Sequence, residues 1–180
     1  MRQKTIKAIQ EHAAAEYPRE ACGLVAQRGR AERYFPCRNL ATESKDNFVL
    51  APEDYAEVEE WGTITGIVHS HPDATTQPSE LDKAQCDATL LPWHIISWPE
   101  GDLRTIHPRG ELPLLERPFV LGHYDCWGLV MSYFRQTHGI ELTASIIRGG
   151  KRSIRTIFIR TAGMNAGSVS LMVHHNRVIW

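Results

Sequence analysis

The stretch IVHSHPDATTQPSELD, residues 67–82, holds two histidines, a serine and an aspartate at spacings that suit a metal site. If His69 and His71 end a buried strand, positions i and i+2 project to the same face and the two imidazoles converge. Asp82 follows after a loop and the first turn of a helix, so its carboxylate can return as a third ligand. Two imidazoles, a carboxylate and one open position predict a catalytic rather than a structural zinc site.

The same residues also admit a purely structural interpretation. An H-x-H pair occurs by chance in many sequences, and S-x-x-D before a helical run predicts a capping-box-like N-terminus with Ser79 as N-cap and Asp82 as N3. The two interpretations are compatible. Ser79 and Asp82 lie one turn apart on one side of the helix, so a cap could aim both groups at a metal.

The elements that must position these residues follow from hydrophobic periodicity and from proline and glycine punctuation. Their order predicts an α/β fold, with a mixed β-sheet flanked by helices. The predicted helices are 2–16, 53–61 and 79–91, and the predicted strands are 21–26, 33–35, 48–50, the buried run ITGIVHSH, and a hairpin of 94–98 with 103–106.

A change of composition separates this region from the rest of the chain. Three prolines and a glycine among charged residues in HPRGELPLLERP predict a linker, placed at 108–118. Beyond it, residues 125–138 predict a helix with Asp125 as N-cap. The last 39 residues hold six Lys or Arg and no Asp or Glu.

Bulk properties exclude several classes of protein. A net charge of -1 and 42% hydrophobic residues in 180 predict a globular protein without a global field for nucleic acid or for anionic membranes. The sequence has neither a signal-peptide pattern nor an apolar run long enough to span a bilayer, so we expect a cytoplasmic location. The cysteines are widely separated. Cys22 is interpreted as a small buried thiol, and it is left out of the site together with Cys37 and Cys86.

With a glutamate upstream, the stretch resembles a known family motif. Glu20 in PREACG, then HSHP at 69–72, then Ser79 and Asp82 are similar in order and spacing to the JAMM (MPN-positive) metalloprotease motif. The resemblance covers roughly residues 1–107. It implies a JAMM-type domain with a mixed sheet of the kind also found in cytidine deaminases.

The resemblance also implies a role for each motif residue. It makes His69, His71 and Asp82 the ligands of Zn2+, Glu20 the general base, and Ser79 the donor that stabilises the developing oxyanion. Zinc acidifies its water and polarises the scissile carbonyl, which leaves a carboxylate to carry one proton to the leaving amine. The implied reaction is hydrolysis of a peptide or isopeptide bond.

The segment after the linker resembles a second family. RPFVLGHYDCWGLVMSYFRQTHGIEL is similar to the opening of an NlpC/P60 cysteine peptidase, and Cys126 stands where the nucleophile would at a helix N-terminus. The resemblance covers 119–141, so this domain is expected to be incomplete. We assign no catalytic role to His174 or His175, and without a base Cys126 is interpreted as an idle thiol.

The basic end of the chain has a testable explanation at the level of the gene. Codons for TAGMNAGSVSLMVHHNRVIW permit DCWYECGFREFDGPPQPGDM in another frame, which contains the PxPGD turn expected in an NlpC/P60 domain. We hypothesise that 142–180 is an out-of-frame tail on a truncated gene, as in a defective prophage. Sequencing the coding DNA tests this hypothesis. If no single-base change restores the reading frame that encodes the acidic segment, the hypothesis is wrong.

A JAMM domain joined to an NlpC/P60 domain resembles the tail-tip assembly proteins of lambdoid phages. The expected function is therefore a zinc-dependent peptidase of phage tail assembly, with tail-tip proteins or peptidoglycan peptides as substrates. The alternative is a catalytically silent assembly scaffold whose metal site is structural or vestigial. Nucleic-acid binding through the basic tail is a third hypothesis, which DNA binding that is absent or insensitive to salt would dismiss.

Overall fold

The computed structural model describes residues 1–149, 152–161 and 171–173, and beyond residue 142 it describes the backbone alone. The chain divides into two compact units, Met1–Glu111 and Leu112–Trp180. The division falls inside the interval 108–118 that the sequence predicts as a linker. Each unit is described by itself.

The first unit contains a five-stranded mixed sheet flanked by helices. Its strand order is β2-β1-β3-β4-β5, in which β3 and β4 are parallel and every other pair is antiparallel. The strands are β1 (Cys22–Arg28), β2 (Ala31–Cys37), β3 (Thr63–Pro72), β4 (Trp93–Trp98) and β5 (Leu103–Ile106). The predicted α/β class is confirmed, and so is the terminal hairpin.

Three helices cover the two faces of this sheet: α1 (Gln3–Glu16), α2 (Pro52–Trp61) and α3 (Glu80–Thr89). Helix α1 buries Ile9 and Ala13 on one face, in a cluster with Val68. Val58 from α2 and Cys86 from α3 join the cluster on the opposite face. Because each helix has one apolar stripe, the sheet becomes the middle layer and its central strands are buried on both sides.

The alternation along β3 delivers the histidines to one face. Ile67 belongs to the cluster on the face of α2 and α3, whereas Val68 belongs to the cluster on the face of α1. Side chains alternate along a strand, so His69 and His71 continue the row that Ile67 begins. The potential ligands therefore stand at the carboxyl end of a buried central strand, next to α3.

The second unit has one described helix and one described sheet. Helix α4 (Cys126–His138) begins at the predicted N-cap, where the Asp125 carboxylate accepts a hydrogen bond from the Gly128 N–H at 2.8 Å. Three antiparallel strands follow in the order β6-β7-β8. They are β6 (Ile140–Gly149), β7 (Arg152–Thr161) and β8 (Leu171–Val173). The hypothesis of an out-of-frame tail remains a prediction about the gene, and it falls partly on residues outside the described ranges.

One predicted element is wrong. Residues 48–50, FVL, do not form a strand; the only pairing there is an isolated antiparallel bridge between Asn39 and Leu50. The three residues have the β propensity of a strand, but the backbone pairing stops after the bonds from Leu40 N–H to Val49 O and from Ala51 N–H to Arg38 O. The Val49 N–H donates to the side chain of Asn39 instead of to another backbone group. Among the described residues, none of the helices is long and apolar enough to cross a membrane.

Candidate functional site

Three donor atoms from β3 and α3 converge on one point. The Nε2 atoms of His69 and His71 lie 3.0 Å apart. Asp82 Oδ1 is 3.2 Å from His69 Nε2, and Asp82 Oδ2 is 3.6 Å from His71 Nε2. Among the described residues, these three form the group whose ligand atoms lie close enough together to hold one metal ion.

The tautomer of His71 is fixed by a backbone carbonyl. Its Nδ1 lies 2.8 Å from Thr75 O, and because a carbonyl only accepts, Nδ1 carries the hydrogen. In neutral His71 the lone pair of Nε2 then points at the convergence, which is the form that binds a metal. His69 differs, since its buried Nδ1 has no hydrogen-bond partner among the residues that the structure describes.

Asp82 serves the helix and the cluster at once. Its Oδ2 accepts hydrogen bonds from the Ser79 N–H and hydroxyl, both at 2.7 Å, while its own N–H donates to Ser79 Oγ at 3.0 Å. This is the predicted capping box. The cap leaves Oδ1 facing His69, so the same contacts that begin α3 also orient the carboxylate towards the two histidines.

Two aromatic rings hold the imidazole of His69. Phe48 stacks on it with ring centroids 4.9 Å apart, and Trp93 meets it edge-on at 5.4 Å. His69 is 1% exposed, so its ring is fixed by packing rather than by a hydrogen bond at Nδ1. Packing of this kind fixes the direction of a ligand before any metal binds.

The electrostatics of the three groups favour a carboxylate at Asp82 and a neutral imidazole at His69, and they favour the protonated form at His71. Burial would raise the pKa of Asp82, but hydrogen bonds from His69 and His71 hold that pKa well below its ordinary value. Complete burial lowers the pKa of His69. Burial also acts to lower the pKa of His71, yet the hydrogen bonds to Asp82 and Thr75 raise it.

Glu20 lies outside the cluster and lines the same cavity. This cavity of about 210 Å³ has Glu20, His71, Ser79 and Asp82 among its lining residues. Glu20 is 6% exposed, and burial raises its pKa to about 8, with Asp82 adding to the effect and His71 opposing it. A carboxyl group with a pKa near neutrality can both accept and donate a proton under ordinary conditions.

The donor set fits a zinc ion. Zinc binds imidazole nitrogen and carboxylate oxygen at about 2.0–2.2 Å, so the ligand atoms of a tetrahedral site stand roughly 3.3 Å apart. The separations here, 3.0, 3.2 and 3.6 Å, bracket that value. A set of three protein ligands leaves one tetrahedral position for water or substrate, as in catalytic zinc sites.

The structure brings together five of the six residues singled out from the sequence. His69, His71 and Asp82 meet in one cluster, and Glu20 and Ser79 line its cavity. The Ser79 hydroxyl donates to Asp82, so it must leave that carboxylate before it can donate to an oxyanion.

The sixth, Cys126, is exposed at the start of α4 in the second unit. His174 and His175 lie outside the described residues. The interpretation of Cys126 as an idle thiol therefore stays a prediction.

Sequence reasoning missed the residues that support the ligands. Trp93 and Phe48 touch His69, the carbonyl of Thr75 accepts from His71, and Asn39 bonds to the backbone of Glu20. Thr75 could have been found, because a turn four residues after a ligand histidine can supply an acceptor. Nothing local marks the other three, since each reaches the site from a distant part of the chain.

Comparisons with known proteins identify the family of this chain. The sequence pattern of the family described as Prok-JAB, prokaryotic homologs of the JAB domain, matches residues 2–107. The tail tip assembly protein K of Escherichia phage N15 is 82% identical over 142 residues, which are 79% of this chain and 58% of that protein. Protein K of Escherichia phage lambda is 34% identical over 94 residues, 52% of this chain and 44% of that protein.

The chain thus spans about half the length of these two relatives. Among solved structures, a JAB1/MPN domain protein from Archaeoglobus fulgidus is 23% identical, covers 59% of this chain and 84% of its own, and has a TM-score of 0.38. Because the family pattern matches residues 2–107 of the 180, the chain belongs to the family of prokaryotic homologues of the JAB domain.

Proposed function

We propose that the first unit is a zinc-dependent peptidase that hydrolyses a peptide or isopeptide bond. The observation that carries the proposal is the convergence of His69, His71 and Asp82 beside a cavity that Glu20 also lines. A ligand cluster alone would suit a structural metal. A buried carboxyl group with a pKa raised to about 8 in the same cavity adds a group able to move a proton.

In this proposal His69, His71 and Asp82 would hold the ion, which would act as a Lewis acid on the scissile carbonyl and acidify a water. Glu20 accepts one proton from the attacking water and returns it to the departing amine. Ser79 turns its hydroxyl from Asp82 to the carbonyl oxygen as negative charge builds there. In this proposal Glu20 supplies the proton transfer and Ser79 supplies the charge stabilisation.

The biological setting proposed for this activity is phage tail assembly in the host cytoplasm. The support is the 82% identity with a relative named tail tip assembly protein K. Tail-tip proteins and peptidoglycan peptides are the candidate substrates. The first would be processed during assembly, and the second would be met by a tail at the cell wall.

The test compares the zinc-loaded chain with Glu20→Gln on phage tail-tip proteins and on peptidoglycan peptides. We expect the wild type to carry about one zinc, and Glu20→Gln to keep the zinc while losing roughly 100- to 10,000-fold in kcat, the usual contribution of a general base. Glu57→Gln is the matched control, because Glu57 lies on α2 and does not line the cavity.

Two outcomes would contradict the proposal in different ways. Unchanged hydrolysis in Glu20→Gln would remove Glu20 from the mechanism while leaving the metal site intact. A zinc-loaded wild type that cleaves neither class of substrate would favour the assembly scaffold, in which the same ligands stabilise the fold.

A further inference from the structure

Asn39 uses its whole carboxamide to join distant backbone segments. Its Nδ2 donates to Glu20 O at 3.0 Å and to Asn47 O at 3.1 Å. Its Oδ1 accepts from the N–H groups of Ala41 at 3.0 Å and Val49 at 3.1 Å. Two donors and two acceptor positions are the full capacity of a carboxamide, and here all four are spent on backbone groups.

These bonds matter because Glu20 lies just outside the sheet. Its neighbour Ala21 exchanges hydrogen bonds with Ser70 of β3, at 2.8 and 2.9 Å. The backbone of Glu20 bonds instead to residues after β2. Its N–H donates to Ser44 O at 2.6 Å and its carbonyl accepts from Asn39. The proposed general base is therefore held by the irregular segment after β2 and not by the strand ladder.

The same segment, residues 40–49, forms part of the site. Four consecutive residues from Lys45 to Phe48 line the cavity that contains Glu20 and Asp82. Phe48 also stacks on the ligand His69. Because residues 40–49 lie outside helices and strands, their position depends on individual bonds. The Leu40 N–H donates to Val49 O at 2.8 Å, and Asn39 adds bonds to Ala41, Val49 and Asn47.

We propose that Asn39 is a positioning residue of the active site, which acts through the backbone of Glu20 and the 40–49 segment. This inference rests on the proposed peptidase function. Asn39 does not touch the ligand atoms. Its bonds fix the position of Glu20 relative to the cluster of His69, His71 and Asp82. They also hold the segment that carries Phe48 along the wall of the cavity.

Two substitutions distinguish the hydrogen bonds that Asn39 donates from those that it accepts. Asn39→Ala removes all four bonds. Asn39→Asp keeps an acceptor for the N–H groups of Ala41 and Val49 but cannot donate to Glu20 O or Asn47 O. If Asn39 acts through Glu20, the aspartate variant must lose activity although the ends of the 40–49 segment stay bonded. A residue needed only to hold Ala41 and Val49 would be rescued by aspartate, whereas the bond to Asn47 O is lost in both variants.

The first measurement is amide hydrogen exchange by NMR on the full, zinc-loaded chain. We expect the amides of Ala41 and Val49, which lose their acceptor, to exchange at least about fivefold faster in Asn39→Ala. The amide of Glu20 donates to Ser44 O and should exchange faster because the carbonyl of the same residue is no longer held by Asn39. In Asn39→Asp we expect the increase at Glu20 alone. Thr42→Ala is the control, because it alters an exposed side chain of the same segment and should change none of the three.

The second measurement is kinetics together with zinc affinity. We expect both Asn39 variants to lose about 10- to 100-fold in kcat, with KM and the zinc dissociation constant within threefold of wild type. Adding Asn39→Asp to Glu20→Gln should cost no more than Glu20→Gln alone, since the aspartate variant keeps acceptors for Ala41 and Val49 and acts through Glu20.

The outcomes are distinct from those that test the peptidase function. Unchanged exchange at Glu20 in both variants would overturn the positioning role, and so would full kcat in Asn39→Asp or an additive loss in the double variant. If the wild type hydrolyses no substrate, the peptidase function fails. The exchange at Glu20 then decides by itself whether Asn39 holds this residue.

Discussion

Replacing Asp82 with asparagine should separate the two roles of this side chain, as the cap of α3 and as a potential metal ligand. The carboxylate accepts from Ser79 with Oδ2 and faces His69 Nε2 with Oδ1. A carboxamide has one accepting oxygen and one donating nitrogen. If its oxygen faces Ser79, the capping box survives and an NH2 group faces the histidines. If it turns over, the NH2 group meets the donors of Ser79 and the cap is lost.

The size of the effect follows from these contacts. Three protein ligands that share a zinc binding energy of about 10 kcal/mol supply roughly 3 kcal/mol each, so Asp82→Asn should weaken zinc binding by more than about 100-fold. In the metal-free protein, the lost charge at the first turn of α3 and the weaker hydrogen bonds to Ser79 should cost about 1 kcal/mol, or roughly 4 °C in Tm.

The assay is zinc competition against a chromophoric chelator, paired with thermal unfolding of the metal-free chain. Glu80→Gln is the matched control, because Glu80 is a first-turn carboxylate of the same helix that pairs with Lys83 in solvent. Its zinc dissociation constant should stay within threefold of wild type. Zinc affinity preserved in Asp82→Asn would refute the ligand assignment, and an unchanged metal-free Tm would refute the energetic role of the cap.

Two further predictions concern groups near the cluster. Phe48→Leu should lower zinc affinity about tenfold, because it removes the ring that stacks on His69, whereas Val49→Ala at the exposed neighbouring position should not; equal affinities for both would contradict this. Burial lowers the pKa of His94 to about 4, so the unfolded chain binds the proton more readily. The contribution of His94 to stability is complete above about pH 6.5 and is lost as the pH falls towards 4, by about 2 kcal/mol after allowance for partial exposure. Denaturant unfolding from pH 7 to 4 should therefore show a shallower loss in His94→Gln than in wild type, and parallel curves would exclude His94 as the cause.

The helix and strand pattern was predictable wherever it rests on local periodicity. All four helices begin within one residue of the predicted position, because caps and prolines act on their immediate neighbours. The interpretation of 48–50 as a strand failed for the opposite reason. Its β propensity is a local property, whereas its hydrogen bonds are made with residues 39 and 40, outside the run.

The candidate site divides in the same way. The convergence of His69 and His71 follows from the two-residue repeat of a strand, and the approach of Asp82 follows from a capped helix after a short loop. Glu20 was placed with them by the resemblance to a family motif and not by any spacing. The fold brings it there through the pairing of β1 with β3.

By itself the sequence determined which side chains could bind a metal and which backbone element carries each. It could do so because strand alternation and helix capping depend on only a few neighbouring residues. Only the tertiary structure decided how those side chains are held. The rings on His69 come from residues 48 and 93, and the bonds on the backbone of Glu20 come from residues 39 and 44. Such contacts form when distant segments pack together, and no pattern in a short window encodes them.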